Sequence, residues 1–307
     1  MSAIDASSAP IRHKRRHKVR DSISAVVIVL TALLLWAIAT NENMEWGVVG
    51  EYLFEPTVLQ GIANTILLAA VAMIVGIVLG FVVAVMRVAD SKVLSTLAAA
   101  FCWFFRGVPT LVLLILWFNI ALIFPVIEAY VPGTSIGVTI ITNNIVTTFV
   151  AAVIALGLHE AAYMAEIFRS GLTSVAKGQT EASTALGMTY TQSLRRIIVP
   201  QAMRVIIPPT GNQFIGMLKA TALVAFIGGN DLMSEVQFIY SSSYQVIPLL
   251  MVATFWYLVL TTIASLFQSR IERHYNRGFG EQRSRKTGDD ADERLSKSLV
   301  GNSTPEL

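Results

Sequence analysis

The segment HEAAYMAEIFRSG contains polar residues whose types and spacing could do chemistry. His159, Tyr163 and Glu166 stand at i, i+4 and i+7, so a helix would place them on one face. Glu160 lies beside that face, and Arg169 follows Glu166 at ion-pairing distance. The flanking residues are apolar, and polar groups at membrane depth usually face the protein interior or a water-filled path. The pattern therefore indicates contact with a polar ligand or, alternatively, a structural ion pair at the membrane interface.

A second polar set interrupts the apolar run PPTGNQFIGMLKATAL. Two adjacent prolines predict a broken helix, which membranes tolerate where it lines a cavity. A lysine inside such a run needs water, a carboxylate or carbonyl groups nearby. These residues are therefore candidates for a translocation path, although the amides could only bond neighbouring helices and the lysine could serve as a gate or a packing residue. The set comprises Pro208, Pro209, Asn212, Gln213, Lys219 and Thr221.

A third position is Arg106 in the segment FFRGVPTLV. Gly107 and Pro109 follow it, and this RGVP turn predicts a break or bend in the surrounding apolar run. Arg106 and Pro109 are therefore candidates for a span break or a gate. The alternative is an arginine that simply extends to the cytoplasmic interface.

Patterns typical of enzymes are missing from the sequence. It has no glycine-rich phosphate loop and no serine nucleophile elbow, so the chain is not expected to hydrolyse ATP itself. Three of its four histidines fall near the chain ends, and its one cysteine, Cys102, lies in an apolar run. We therefore predict no catalytic residue, no metal site and no cofactor bound by this chain.

The elements that must position these residues are apolar helices. Of the 307 residues, 54% are hydrophobic and 14% are charged, and the apolar residues form runs of the length that crosses hydrocarbon as a helix. A β-barrel would show short alternating segments instead. The sequence predicts an all-α, polytopic membrane protein with about six transmembrane helices. They are expected at about 23–39, 59–86, within 97–124, 145–168, 205–227 and 246–267.

The distribution of positive charge predicts the orientation. Of the 23 lysines and arginines, 21 fall in the two termini and in the loops after the second and fourth spans, and none falls in the three opposite loops. The positive-inside rule then places both termini in the cytoplasm. The expected regions are a basic cytoplasmic tail at 1–22, a first span and external loop at 23–59, a transmembrane domain at 60–269, and a polar, disordered cytoplasmic tail at 270–307. We interpret the basic run at 12–20 as a membrane anchor rather than a nucleic-acid site.

The cytoplasmic loop at about 172–204 contains the segment EASTALGMTYTQSLRRIIVP. It resembles the EAA loop of bacterial ABC importer permeases, with two departures: serine replaces the second alanine and valine replaces a leucine. The matching positions are Glu181, Ala182, Ser183, Gly187, Ile197, Val199 and Pro200. The resemblance implies a docking hairpin: a helix at about 172–185, a turn at Gly187, and a second helix at about 191–199 that ends at Pro200.

The surroundings are similar to permeases of polar amino acid importers, from about residue 60 to residue 268. The segments RGVPTLVLL, AAYMAEIFRSGLTSVAKGQTEAS and PQAMRVIIPPTGNQFIGMLKATAL carry this resemblance, with departures at His159, Glu160, Ala220 and Ala222. It implies a type I ABC importer permease of the bacterial inner membrane that carries a polar amino acid or a related compound such as an opine. The implied partners are a cytoplasmic ATPase dimer that binds ATP and Mg²⁺, a second identical or related permease, and an external substrate-binding protein.

Two alternatives from other classes remain. One is a secondary transporter or channel subunit that needs no ATPase; such proteins often contain inverted repeats with paired broken helices, and the sequence shows one proline-rich span and no clear repeat. The other is a membrane scaffold without a transport path. The polar face of His159, Tyr163 and Glu166, together with Lys219, argues against a scaffold.

Overall fold

The computed structural model describes residues 18–130 and 137–275, and in that part the chain is mostly helical. Long apolar segments form the long helices, and short breaks fall at glycine, proline and polar residues. The elements are α1 (Lys18–Ala39), α2 (Trp46–Tyr52), α3 (Pro56–Val88), α4 (Lys92–Gly107), α5 (Thr110–Phe118), β1 (Val126–Tyr130), β2 (Gly137–Ile141), α6 (Thr142–Ile145), α7 (Thr148–Thr173), α8 (Lys177–Ala185), α9 (Tyr190–Ser193), α10 (Val199–Ala220), α11 (Leu232–Ser243) and α12 (Val246–Tyr275). A π-helical turn at Leu194–Ile198 joins α9 to α10, and 3₁₀ turns occupy Glu42–Met44, Ile120–Leu122 and Thr221–Ile227.

Within residues 18–130 and 137–275, four helices are long and apolar enough to cross a membrane: α1, α3, α7 and α12. Two bent pairs bring the number to six when each pair counts as one span. One pair is α4 with α5, which meet at 100°, and the other runs from Tyr190 through α10 to α11 with a bend of 43°. The predicted break in the third apolar run is confirmed, because α4 ends at Gly107 and Pro109 precedes the first residue of α5.

The centre of the fold is the contact between α3 and α7, where small residues let the two backbones approach closely. A Cβ atom on Gly76 would lie 2.7 Å from Cγ of Glu160, and one on Gly80 would lie 2.6 Å from Cβ of Met164. Ala72 and Ala84 continue this face of α3 and are fully buried. The small-residue ladder therefore holds α7, and with it the polar face of α7, in a fixed position.

The first helix, α1, contrasts with this core. Its described side chains are almost all exposed, and none of the residues from Ser22 to Ala39, its most apolar part, is buried. The indole Nε1 of Trp46 donates a hydrogen bond of 2.9 Å to the carbonyl of Ala39 at the end of α1. Most of the apolar surface of α1 is therefore left for lipid or another chain to cover.

The prediction of an all-α fold is wrong for the segment after α5. There β1 and β2 form an antiparallel hairpin in which Val126 pairs with Ile141 and Glu128 with Thr139. The segments VIEAY and GVTII are rich in β-branched and aromatic residues and lie between spans, where strand propensity is not overridden by burial in a helix bundle. The tip of this hairpin, 131–136, lies outside the described residues.

The predicted helix break at Pro208 and Pro209 is also wrong, because α10 continues through both prolines. The helix packs closely against α12 at this point, where Nε2 of Gln268 donates a 3.1 Å hydrogen bond to the carbonyl of Pro208. The break lies further along the chain, between Ile227 and Leu232. At this point Gly228 adopts a left-handed conformation with φ of 69°.

The ends of the chain are described only in part. The predicted N-terminal tail falls at residues 1–17 outside the described part, while 18–22 already belong to α1. At the other end, α12 continues to Tyr275, so residues 270–275 are helical rather than disordered. The remainder of the predicted C-terminal tail, 276–307, lies outside the described residues.

Candidate functional site

The EAA-like segment forms a helical hairpin. Helix α8 ends at Ala185, and Gly187 then takes φ of 73°, a backbone conformation that only glycine adopts without strain. Two backbone hydrogen bonds close the turn, from Gly187 N to Thr184 O at 2.9 Å and from Met188 N to Ser183 O at 3.1 Å. This pair of bonds is a Schellman motif, which satisfies the last carbonyls of α8. The turn is therefore rigid and specific.

The second arm of the hairpin begins with a capping box. The hydroxyl of Thr189 accepts from the backbone of Gln192, and the Gln192 side chain accepts from the backbone of Thr189 at 3.0 Å. The predicted end of this arm at Pro200 is wrong, because the helix runs on into α10. The π-helical turn explains the continuity: Val199 N bonds to Leu194 O, five residues back, and the next residue is the proline that lacks an N–H.

A buried pair of hydroxyls joins the two arms. The oxygens of Ser183 and Ser193 lie 2.6 Å apart, and both residues are buried. The Ser183 hydroxyl donates to the carbonyl of Thr180 at 2.7 Å, so the Ser193 hydroxyl donates to Ser183. Ser183 is therefore an internal residue of the hairpin and does not lie on the outer surface that a docking partner would contact.

The outer surface of the hairpin combines charge with exposed apolar side chains. Glu181 and Ala182 are exposed, as are Leu186 at 79% and Tyr190 at 74% of their full accessible surface. Arg195 is also exposed on the second arm. Large apolar side chains exposed on a polar, well-ordered loop are typical of a protein contact surface. Sequence patterns did not single out Leu186, Tyr190 or Ser193.

The predicted polar face of α7 exists, and His159 connects it to the break between α4 and α5. Its Nδ1 lies 3.0 Å from the carbonyl of Phe105, and its Nε2 lies 3.2 Å from the hydroxyl of Thr110. A carbonyl only accepts, so Nδ1 carries a proton and donates to Phe105, while Nε2 shares a hydrogen bond with the Thr110 hydroxyl. His159 thereby holds the last turn of α4 and the first turn of α5 at their sharp angle.

Arg106, Tyr163 and Glu166 meet at one polar cavity of about 490 Å³. The guanidinium carbon of Arg106 lies 5.2 Å from the centre of the Tyr163 ring, a cation–π contact. Glu166 forms the expected ion pair with Arg169, with Nε at 3.1 Å from Oε1. Arg106 is therefore held against the polar face of α7, and the cavity offers both charges and an aromatic face to a polar solute.

The polar residues predicted after the two prolines do not join this cavity. Asn212 is exposed and its Oδ1 accepts from Gln268 at 3.1 Å. Lys219 is exposed and lines a different cavity of about 370 Å³ beside α12. Thr221 is fully buried and donates to the carbonyl of Leu218, so its side chain serves the 3₁₀ turn rather than a path.

Glu160 is a residue whose position the sequence did not reveal. It is 5% exposed, and the missing side chain of Gly76 gives it room. Gln213 approaches its carboxyl group, yet Oε1 has no hydrogen-bond partner among the described residues. The sequence offered one signal for this buried position: Glu160 is a carboxylate one residue from the polar face of α7, and Gly76 on α3 leaves room for it. The pairing of those two helices could not be read from one sequence.

Comparisons with known proteins agree with this arrangement. Residues 76–277 match the family described as binding-protein-dependent transport system inner membrane component. The arginine transport system permease protein ArgU of Corynebacterium glutamicum is 40% identical over 278 residues, which are 90% of this chain and 86% of that protein. The histidine/lysine/arginine/ornithine transport system permease protein HisQ of Salmonella typhimurium is 32% identical over 233 residues, 74% of this chain and 96% of that protein.

Solved structures show the same fold. A crystal structure of an amino acid ABC transporter with histidines superposes with a TM-score of 0.60 and 34% identity, covering 72% of this chain and 95% of that chain. The MetNI methionine ABC transporter, in inward-facing conformations, has a TM-score of 0.54 at 22% identity and supports the fold alone. The chain therefore belongs to the family of inner-membrane components of binding-protein-dependent transport systems, as a permease subunit.

Proposed function

We propose that this permease subunit belongs to an ATP-driven importer for polar amino acids or related compounds. The relatives named above transport arginine, or histidine, lysine, arginine and ornithine, and cationic amino acids are therefore the first substrates to test. The cavity lined by Arg106, Tyr163 and Glu166 also supports this proposal. Its arginine suits the carboxylate of an amino acid, and its glutamate suits the ammonium group. The relatives also include permeases named for glutamine and for glutamate and aspartate. Family membership alone therefore does not identify which amino acid this permease carries.

The 181–200 hairpin is the observation that carries the proposed mechanism. It is closed by a Schellman motif, tied together by a buried hydroxyl pair, and continuous with α10. A separate cytoplasmic ATPase dimer would bind its outer surface, and ATP and Mg²⁺ would be bound by that partner. Because the second arm extends into a span, a movement of the hairpin is transmitted to α10 without an intervening flexible link. To shift the permease between an inward-facing and an outward-facing state, the ATPase must bind these two states with different affinities.

The proposed assembly has a second permease, identical or related, and an external substrate-binding protein that delivers the solute. Both termini and the hairpin lie in the cytoplasm of the bacterial cell, and the β1–β2 hairpin faces outward. The positive charges of the hairpin loop and the exclusively acidic charges of the opposite loops support this orientation.

Uptake by the reconstituted system, together with co-purification of the ATPase, tests the coupling role. The variant Gly187→Val places a β-branched residue at positive φ and is expected to abolish ATPase association and energised uptake. Glu181→Arg reverses an exposed charge without straining the backbone and is expected to weaken both. Gly178→Ala is the matched control, because this helical glycine has open space around it and no unusual φ. Full uptake and full association in both variants would contradict the proposal.

A further inference from the structure

Lys219 is a charged residue inside a membrane span, and the described part of the chain gives its ammonium group no hydrogen bond and no ion pair. The side chain is exposed and lines a cavity of about 370 Å³ together with residues of α11 and α12. Charged groups at membrane depth almost always face the protein interior or water, because lipid chains cannot solvate them. Another molecule or a water-filled space must therefore cover this part of the surface.

The depth of the cavity follows from α12, which lines it from Leu250 to Thr261. Tyr257 in this stretch is eleven residues from Val246, where the apolar helix begins, a rise of about 16 Å at 1.5 Å per residue. The hydrocarbon core of a bilayer is about 30 Å thick, so the cavity lies near its middle in either orientation of the chain. The four-carbon stem of Lys219 is too short to carry its charge from there to a membrane surface.

Lys219 belongs to an uncovered stripe along α10, formed by Asn212, Gly216 and Lys219. These residues stand at i, i+4 and i+7, so they share one face of the helix. Asn212 and Lys219 are exposed, and a Cβ atom on Gly216 would have no neighbour within 4 Å. The buried residues Ile206 and Met217 lie on a different side of α10. A single chain thus presents a polar face, the α10 stripe, where lipid would otherwise surround it.

The charge beside the α10 stripe is unbalanced, in contrast to the cavity at Arg106. Arg106 lies against the ring of Tyr163 and shares its cavity with Glu166. Among the described residues that line the cavity beside Lys219, none is acidic, and the polar ones are Lys219 and three hydroxyl side chains. This cavity therefore attracts a carboxylate, the group that every amino acid carries, and does not distinguish between amino acid side chains.

We propose that the α10 stripe faces a second copy of this permease and that the two stripes enclose part of the path of the solute. The inference rests on the proposed importer function, in which a second permease is part of the assembly. In a two-fold symmetric pair, a residue near the axis lies opposite its own copy. Two Lys219 ammonium groups, one from each copy, repel each other and keep the space between them open and hydrated. The carboxylate of a passing solute supplies the counter-charge.

Cysteine cross-linking in membranes tests the contact, in full chains that carry Cys102→Ala and two different epitope tags. Gly216→Cys adds a thiol where there is open space, and a short bis-maleimide is expected to link it into dimers that contain both tags. Ile74→Cys is the matched control, because Ile74 is exposed near the middle of α3, among other exposed apolar side chains. It is expected to stay monomeric under the same conditions.

The charge is tested by uptake into vesicles that contain the reconstituted system. Lys219→Met is expected to lower uptake about tenfold or more, since a hydrogen bond to a charged group contributes at least that factor. Lys219→Arg keeps the charge and is expected to retain most of the uptake. Thermal unfolding separates this effect from a structural role. The melting temperature of Lys219→Met is expected to stay unchanged, because the ammonium group has no partner in the described chain.

Three results would overturn the proposal. One is no more cross-linking of Gly216→Cys than of Ile74→Cys. Another is cross-linking only to an untagged protein, which would assign the α10 stripe to a different chain. The third is wild-type uptake with a raised melting temperature in Lys219→Met, the behaviour of a lysine that faces lipid. Cross-linking needs neither ATP nor solute, so a wild type that takes up no amino acid would refute the proposed function and leave the cross-linking result standing.

Discussion

At the scale of single residues, two hydrogen-bonded contacts fix the geometry on which function depends. Ser183 and Ser193 join the arms of the hairpin, and His159 joins α7 to the bend between α4 and α5. In both places a polar group is paired away from bulk solvent, where losing one partner costs more than losing both. Because of this asymmetry, variants that remove one partner of a contact and variants that remove both are expected to differ in stability.

The hydroxyl pair gives the first prediction. Ser183→Ala leaves the Ser193 hydroxyl buried without its acceptor and is expected to lower the free energy of unfolding by about 1–3 kcal/mol. The double variant Ser183→Ala/Ser193→Ala removes both groups and is expected to be more stable than Ser183→Ala alone. Thermal unfolding of the four proteins in detergent measures this cycle. A double variant whose loss equals the sum of the single losses would refute the buried pairing.

The histidine contact gives the second prediction. His159→Phe keeps an aromatic ring but removes both hydrogen bonds, so it is expected to lower the melting temperature and to impair uptake. Thr110→Val removes one of the two bonds and is expected to have a smaller effect on both. The same measurements on Thr262→Val, an exposed position on α12, provide the control. Wild-type stability and uptake in His159→Phe would show that the bend does not depend on this ring.

At the scale of helices, the close contact between α3 and α7 sets the position of every polar residue on α7. Two glycines of α3 lie where a side chain would overlap α7, whereas Gly216 on α10 has open space around it. The difference between these positions is purely steric, because all are helical glycines without unusual φ. Helix propensity would favour alanine at each of them.

This contrast gives the third prediction. Gly80→Ala is expected to destabilise the protein by about 1–3 kcal/mol, because its Cβ would lie 2.9 Å from the carbonyl of Ala161. Gly216→Ala is expected to be neutral or to stabilise by up to about 1 kcal/mol. Melting temperatures and the monodisperse fraction in size-exclusion chromatography distinguish the two. Equal behaviour of both variants would argue against a tight α3–α7 contact.

The comparison of sequence and structure is also clearest at this scale. The bend after Arg106 was predictable because Gly107 and Pro109 act locally. The continuity of α10 through Pro208 was not, because the local proline signal predicts a break, whereas the packing of α10 against α12, where Gly211 closely approaches Gln268, depends on the tertiary fold. The hairpin turn at Gly187 was predictable from glycine chemistry. The buried Ser183 and Glu160 were not, because their partners depend on which helices pack together.

At the scale of the whole molecule, the arrangement of charge predicts the orientation in the membrane. Leu122 is 81% exposed beside the β1–β2 hairpin, and Leu186 is 79% exposed on the hairpin after α8. The proposed topology places these two residues on opposite sides of the membrane. The native Cys102 is buried and can be replaced by alanine, so that cysteines introduced at other positions are the only thiols available for labelling.

The fourth prediction uses these positions. In a Cys102→Ala background, Leu122→Cys is expected to react with a membrane-impermeant maleimide added outside intact spheroplasts. Leu186→Cys is expected to react only after the membrane is opened. The cysteine-free background protein, before and after opening, is the control. Labelling of Leu186→Cys in intact cells would reverse the proposed orientation.

The isolation of α1 has a consequence for how the protein is made. The family match begins at residue 76, after α1, and the described contact that joins this helix to the next is the hydrogen bond from Trp46 to Ala39. A span that is synthesised before α3, and whose described side chains are almost all exposed, can reach its final position before the core helices are synthesised. Biogenesis would then divide into an early step, in which α1 anchors the chain, and a later step, in which α3 and α7 find each other. We expect replacement of α1 by an unrelated signal anchor of the same orientation to preserve folding of residues 56–275.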